Sequence, residues 1–197
     1  PGTPAAPGRQ GLPAPSQPTR PSPGPVALVP VPPNPNAPVF LALERAGGKS
    51  VSVIAEDGRT VTVSVNNTTR ITQGTKRATF NQILEGSRMA CTGSWNSSAR
   101  TEYLAKSIDF TPGSVSVSIG LVSSADAFGS LTVHRANGTS LPFTLENSSR
   151  VFRNGLYSDI LSLKPADLVE VVSYTPVKQS PTVFAVKATS PNVAGTF

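Results

Sequence analysis

The sequence predicts an all-β protein, two small β-barrels in tandem behind an extended proline-rich arm. Three observations lead there. The first 38 residues hold 14 of the chain's 20 prolines. From Pro38 onward, apolar residues alternate with Ser, Thr and Asn. The stretch SVSVIAEDGRTVTVSVNNTTRITQ (residues 50–73) returns 80 positions later as SLTVHRANGTSLPFTLENSSRVFR (residues 130–153), in pattern though not in letters.

The arm comes first. Proline lacks the N–H that helices and sheets need, and Gly, Ala and Ser between the prolines offer little apolar area. Residues 1–38 are therefore expected to be extended, largely polyproline II, with a reach on the order of 100 Å at about 3.1 Å per residue. The most apolar stretch is VALVPV, residues 26–31. It is expected to dock on a neighbouring subunit or partner through Val26, Val29 and Val31, along a sheet edge.

Each half then reads as a string of strands. Val51 and Val53, then Val61, Val63 and Val65, share one face, a period of two that marks half-buried strands. Asp57-Gly58 between them predicts a two-residue type I′ turn, since Gly tolerates the positive φ it needs. Leu131 and Val133, then Leu141, Phe143 and Leu145, repeat the pattern around Asn137-Gly138. Asn67-Thr68-Thr69-Arg70-Ile71 is answered by Asn147-Ser148-Ser149-Arg150-Val151. One helical turn follows in each half, with Thr79 or Ser158 as N-cap and Gly86 as the first stop. Met89 and Cys91 answer Val169 and Val171. TEYLAKSIDF answers PTVFAVKATS with a slip of about one residue. Such a unit of about 75 residues hides its edges by closing into a barrel. The expected division is residues 1–38 arm, 39–110 first barrel, 111–114 linker, 115–190 second barrel and 191–197 tail.

These pieces carry a family resemblance. Asp57-Gly58, Thr69-Arg70, Gly86-Ser87 and Ala105 to Ile108, with Asn137-Gly138, Ser149-Arg150, Ala166-Asp167 and Ala185 to Ala188, resemble the bacterial exported repeat known as domain of unknown function 5666. The match spans about residues 40–190. It departs where Ser87 replaces an acid and Ala166 a glycine. The resemblance implies OB-like barrels and an extracellular or cell-envelope setting, and it brings no active site with it.

Composition narrows the chemistry. Net charge is +6, with Arg9 and Arg20 in an arm that has no acid, and only 14 % of residues are charged. Lys76-Arg77 is the sole adjacent basic pair, so no basic stripe for nucleic acid stands out. Cys91 is the only cysteine, which excludes an internal disulfide and a Cys-based zinc cage, and its strand phase predicts a buried thiol. No apolar run is long enough to cross a membrane. The chain starts at Pro1 and not Met, which raises the expectation of a removed upstream segment such as an export signal. His134, beside Arg135, reads as an exposed strand residue, Asp126 has no second acid near it in sequence, Glu56-Asp57 enter a turn where Asp serves the geometry, and no nucleophile, paired-His or phosphate-loop motif is present. No catalytic residue, cofactor or metal is expected.

The expected function is thus a non-enzymatic structural subunit of a bacterial extracellular or envelope assembly, such as a filament, sheath or envelope complex, with copies of itself or other subunits as partners. Arg70 and Arg150 are expected to cap barrel rims by bonding carbonyls or a carboxylate. Trp95, in the stretch GSWNSSAR, is the expected exposed aromatic, equally a stacking platform for a ligand or an interface anchor. The alternative is a secreted OB-type module that binds polysaccharide or nucleic acid.

Overall fold

The computed structural model describes Gly2, Ala27, Leu28 and residues 32–191 apart from Ser97. Val26, Val29 and Val31 lie outside the described residues. The first half contains β1 (Val39–Ala42), β2 (Ser50–Ala55), β3 (Thr60–Ser64), β4 (Arg70–Gln73), β5 (Lys76–Arg77), β6 (Arg88–Trp95) and β7 (Glu102–Thr111). The second contains β8 (Gly113–Ala125), β9 (Ser130–His134), β10 (Ser140–Thr144), β11 (Arg150–Arg153), β12 (Leu156–Ser158), β13 (Leu168–Pro176) and β14 (Thr182–Thr189). Short 3-10 turns occupy Phe80–Gln82 and Ile160–Ser162.

The first sheet runs β3-β2-β1-β6-β7-β4-β5, and a further parallel pairing of β3 with β7 closes five strands into an OB-like barrel. The second runs β10-β9-β8-β13-β14-β11-β12 and has no closing pair. The expectation of two tandem barrels is therefore corrected to one closed barrel followed by an open sheet. The tandem barrel repeat falls with it, and so does the filament of like units built on that repeat.

Two prolines account for the difference. In the barrel the closing register is Thr62↔Glu102, Val63↔Tyr103, Ser64↔Leu104, and the Thr62 N–H donates to Thr101 O at 3.0 Å. The return bond of a parallel ladder in this register comes from the N–H of Tyr103. Pro142 occupies the counterpart of Thr62, since it faces Thr132 on β9 as Thr62 faces Ser52 on β2. On β14 the counterpart of Tyr103 is Pro181, because Tyr174↔Thr182 answers Ser94↔Leu104. Neither proline has an N–H, so both rungs are lost. This register also places the slip of the last strand at two residues, where one was expected.

Local chemistry explains the motifs shared by the halves. The hairpin turns are not type I′: Gly58 (φ +74°) and Gly138 (φ +83°) take positive φ while Asp57 and Asn137 do not. Gly58 N–H donates to Ala55 O and Ala55 N–H to Arg59 O, a three-residue loop with glycine in the bulge position. Asp57 and Asn137 each accept the N–H two residues on. Thr69 and Ser149 hydroxyls accept from the N–H of Asn66 and Glu146 and donate to the carbonyls of Ala105 and Val183. Ser87 Oγ and Asp167 Oδ2 accept from the N–H of Leu84 and Lys164. Serine thus performs the acid's turn-closing bond in the first half. Thr79 caps the first 3-10 turn, in a box with Gln82, whereas Asp159 and not Ser158 caps the second.

Three apolar clusters form. One fills the barrel around Phe40, Val53, Val63, Met89, Tyr103 and Phe110. Another lines the inner face of the second sheet around Val133, Val169, Val171 and Val186. The third joins the halves: Leu41 and Ile54 on the outside of the barrel pack on Val172, Tyr174, Phe184 and Ala185 of the open sheet.

Candidate functional site

The functional geometry gathers where arm, barrel and open sheet meet. The arm seat lies at one end of the open sheet. Leu28 N–H donates to Ala127 O at 2.8 Å, and its side chain packs on the second cluster with Ala125 and Phe143. Gly129 makes the room, because a Cβ there would collide with Leu28 Cδ1. In the barrel the long β1–β2 connection supplies Ala46 to its own core. The β8–β9 connection is only Asp126 to Gly129, and its Phe128 is exposed, so the arm contributes the apolar plug there. Asp126 holds this turn, accepting the N–H groups of Phe128 and Ser130, and these bonds keep its carboxyl below the usual range.

The joint between the halves carries a buried ion pair. Arg150 Nε donates to Glu56 Oε1 at 3.1 Å, with side chains only 11 % and 9 % exposed. Val39 N–H donates to the other Glu56 oxygen, and Arg150 also donates to Asn147 O. Burial pushes the Glu56 carboxyl up, and the Arg150 guanidinium partly offsets that. Lys187 Nζ reaches from the sheet to Gly58 O at the barrel's hairpin tip and to Glu170 at 3.6 Å. Tyr174 donates its hydroxyl to the linker carbonyls of Thr111 and Pro112.

Beside this pair lies a pocket of about 140 Å³, walled by Pro33, Pro35 and Pro38 of the arm, Phe40 and Trp95 of the barrel and Phe152 of the open sheet. Trp95 is the last residue of β6. It is not an exposed anchor: it is partly buried, with its ring 6.0 Å from Phe40 and 5.1 Å from Tyr103. Its Nε1–H is buried and has no hydrogen-bond partner among the described residues. Asn34, Ala55, Glu56, Asp57, Arg59 and Arg100 complete the rim.

The structure separates the other predicted residues. Arg70 and Arg150 hold matching places on β4 and β11 but have different surroundings. Arg70 is exposed between surface grooves of about 380 and 390 Å³, whose walls carry Thr72 in common. Asp57 pairs with Arg59 at 2.7 Å and serves the hairpin. His134 is exposed, with Nδ1 3.2 Å from Ser140 Oγ. Cys91 is buried, and burial pushes its thiol up to about 12. Among the described residues no three His, Cys, Asp or Glu side chains group as metal ligands, and no helix is long and apolar enough to cross a membrane.

Sequence reasoning missed Glu56, Leu41 and Phe152, while Leu28 lies within the stretch 26–31 that it expected to dock. For Leu41 a signal was present. Phe40-Leu41-Ala42, Val53-Ile54-Ala55 and Val171-Val172 break the alternation with consecutive apolar residues, the mark of strands buried on both faces. Glu56 left no such trace. No family model and no curated relative matches this chain. What stands of the expected fold is the one closed OB-like barrel of the first half.

Proposed function

We propose that the protein is a non-enzymatic structural subunit of a bacterial extracellular or cell-envelope assembly, linked to its neighbours by its proline-rich arm. The observation that carries this reading is the Leu28 seat. An apolar residue of the arm plugs a hole in an open sheet, using one backbone hydrogen bond and a space kept by Gly129. The same contact made between copies joins them at no loss of bonding, so protein concentration and the length of the connecting segment select between the two forms. A body with few charges suits close packing, since few ions are desolvated.

The test is a paired substitution, Leu28→Cys with Ala127→Cys, in the full chain. Cys91 is buried and does not interfere. Oxidation should give covalent dimers whose yield rises with protein concentration, read on a non-reducing gel. Monomer alone at every concentration sinks the proposal. Salt-sensitive retention on heparin or DNA, unaffected by removal of residues 1–31, would move the reading to a ligand-binding module.

A further inference from the structure

We infer that the 140 Å³ pocket beside Trp95 is a binding site for proline-rich, polyproline II segments, and that its occupant is the arm of a second copy of this chain. The acids of the pocket are taken: Glu56 accepts from Arg150 and Val39, and Asp57 accepts twice from Arg59. Arg59 is taken too, by Asp57 and by Ala99 O. What remains is the Trp95 indole N–H, buried without a partner among the described residues, the exposed Asn34 amide, whose Oδ1 accepts from Asn36 N–H, and the exposed Arg100, whose backbone sits at φ +52°. The Trp95 and Arg100 groups are donors, and the walls are aromatic rings and prolines.

A matching ligand offers carbonyl acceptors and apolar rings and brings few donors of its own. An Xaa-Pro segment fits: its tertiary amide has an acceptor oxygen and no N–H, and its pyrrolidine rings lie well on aromatic faces. The pocket already accepts such rings, since Pro33, Pro35 and Pro38 form part of its wall. The same chain carries many more, with 14 prolines in residues 1–38. The inference extends the assembly reading by adding a second contact for the arm. It does not depend on the Leu28 seat, so the Leu28–Ala127 cross-link can fail while this site stands.

Trp95 is the chain's single tryptophan, which gives one indole N–H resonance and one fluorophore. The probe is a synthetic peptide of residues 13–25, PAPSQPTRPSPGP, titrated into the full chain. The expected result is a saturable downfield move of the indole N–H peak, with no move for the same peptide carrying Ala at every Pro. Trp95→Phe keeps a ring and removes the donor. It should weaken binding of a labelled peptide, followed by fluorescence anisotropy, about tenfold. Arg100→Asn, at an exposed position whose backbone Asn tolerates, should weaken it several-fold and covers the case of a Trp95 variant that does not fold. An unmoved peak, an equal move with the all-Ala peptide, or a move with an oligo-uronate but not with the peptide overturns the inference.

Discussion

Ala166 holds φ +69°, where its counterpart Gly86 holds φ +78°. A Cβ in the left-handed region costs about 1–2 kcal/mol, which a glycine avoids at some expense in unfolded-state entropy. Ala166→Gly should therefore raise stability by about 0.5–1 kcal/mol in a denaturant titration. The reverse change, Gly86→Ala, should lower it, because the new Cβ would also stand 2.6 Å from Gly113 O. A stable Gly86→Ala variant would mean the turn is not held as described. Asp167 makes a second residue-scale test. Arg153 grips it at 2.8 and 3.1 Å, Lys164 N–H adds a third bond, and its carboxyl is held below the usual range chiefly by the Arg153 bond. A depressed folded pKa contributes stability above the unfolded value near 3.8, lost as pH falls through the lower folded value. Asp167→Asn should flatten that acid limb of the stability–pH curve.

At the scale of elements, the question is why one sheet closes and the other does not. The two share strand order, hairpin turns and the Thr69/Ser149 bond, yet Pro142 and Pro181 remove two donors from the start of the closing ladder. A proline on an edge strand also blocks pairing with foreign strands, so the open sheet does not expose a full template. Replacing Pro142 with Thr and Pro181 with Val should restore the rungs between β10 and β14. Hydrogen exchange would show two newly protected amides, with a gain of about 1 kcal/mol per bond at most. Amides at 142 and 181 that exchange freely would show that closure is prevented elsewhere, for instance by the shorter connection before β14.

The whole molecule depends on a joint with an apolar centre and one buried ion pair. Arg150→Met leaves the Glu56 carboxylate desolvated and should cost about 2–3 kcal/mol at neutral pH, whereas the double change with Glu56→Leu should recover most of it. Glu56 also sets a pH response of opposite sign to Asp167. Its carboxyl is raised by burial, so its contribution is fully present below the ordinary value near 4.5 and is lost as pH rises through the folded value. Glu56→Gln should remove this decline from the stability–pH profile. A profile identical to that of the parent would show that the joint is open in solution. Because Lys187 and Tyr174 brace the same joint, separation of the halves requires more than the ion pair to break.

By itself the sequence determined the strands, the hairpin sites and the buried Cys91. All of these follow from neighbours along the chain: alternation sets a strand's faces, and Asp-Gly or Asn-Gly sets its turns. The barrel of the first half was legible for the same reason. Closure of the second was misjudged, although Pro142 and Pro181 were in plain view. A proline's cost depends on whether its missing N–H points to a partner strand or to solvent, and that direction is fixed only once the strands are paired. Tertiary structure alone brought Glu56 to Arg150 across 94 positions, pressed Leu41 on Tyr174, placed Leu28 over Gly129 and left one indole N–H unpartnered among the described residues. Contacts of that kind join residues far apart in the chain, so the free energy that selects them comes from burying whole faces and not from any local pattern of letters.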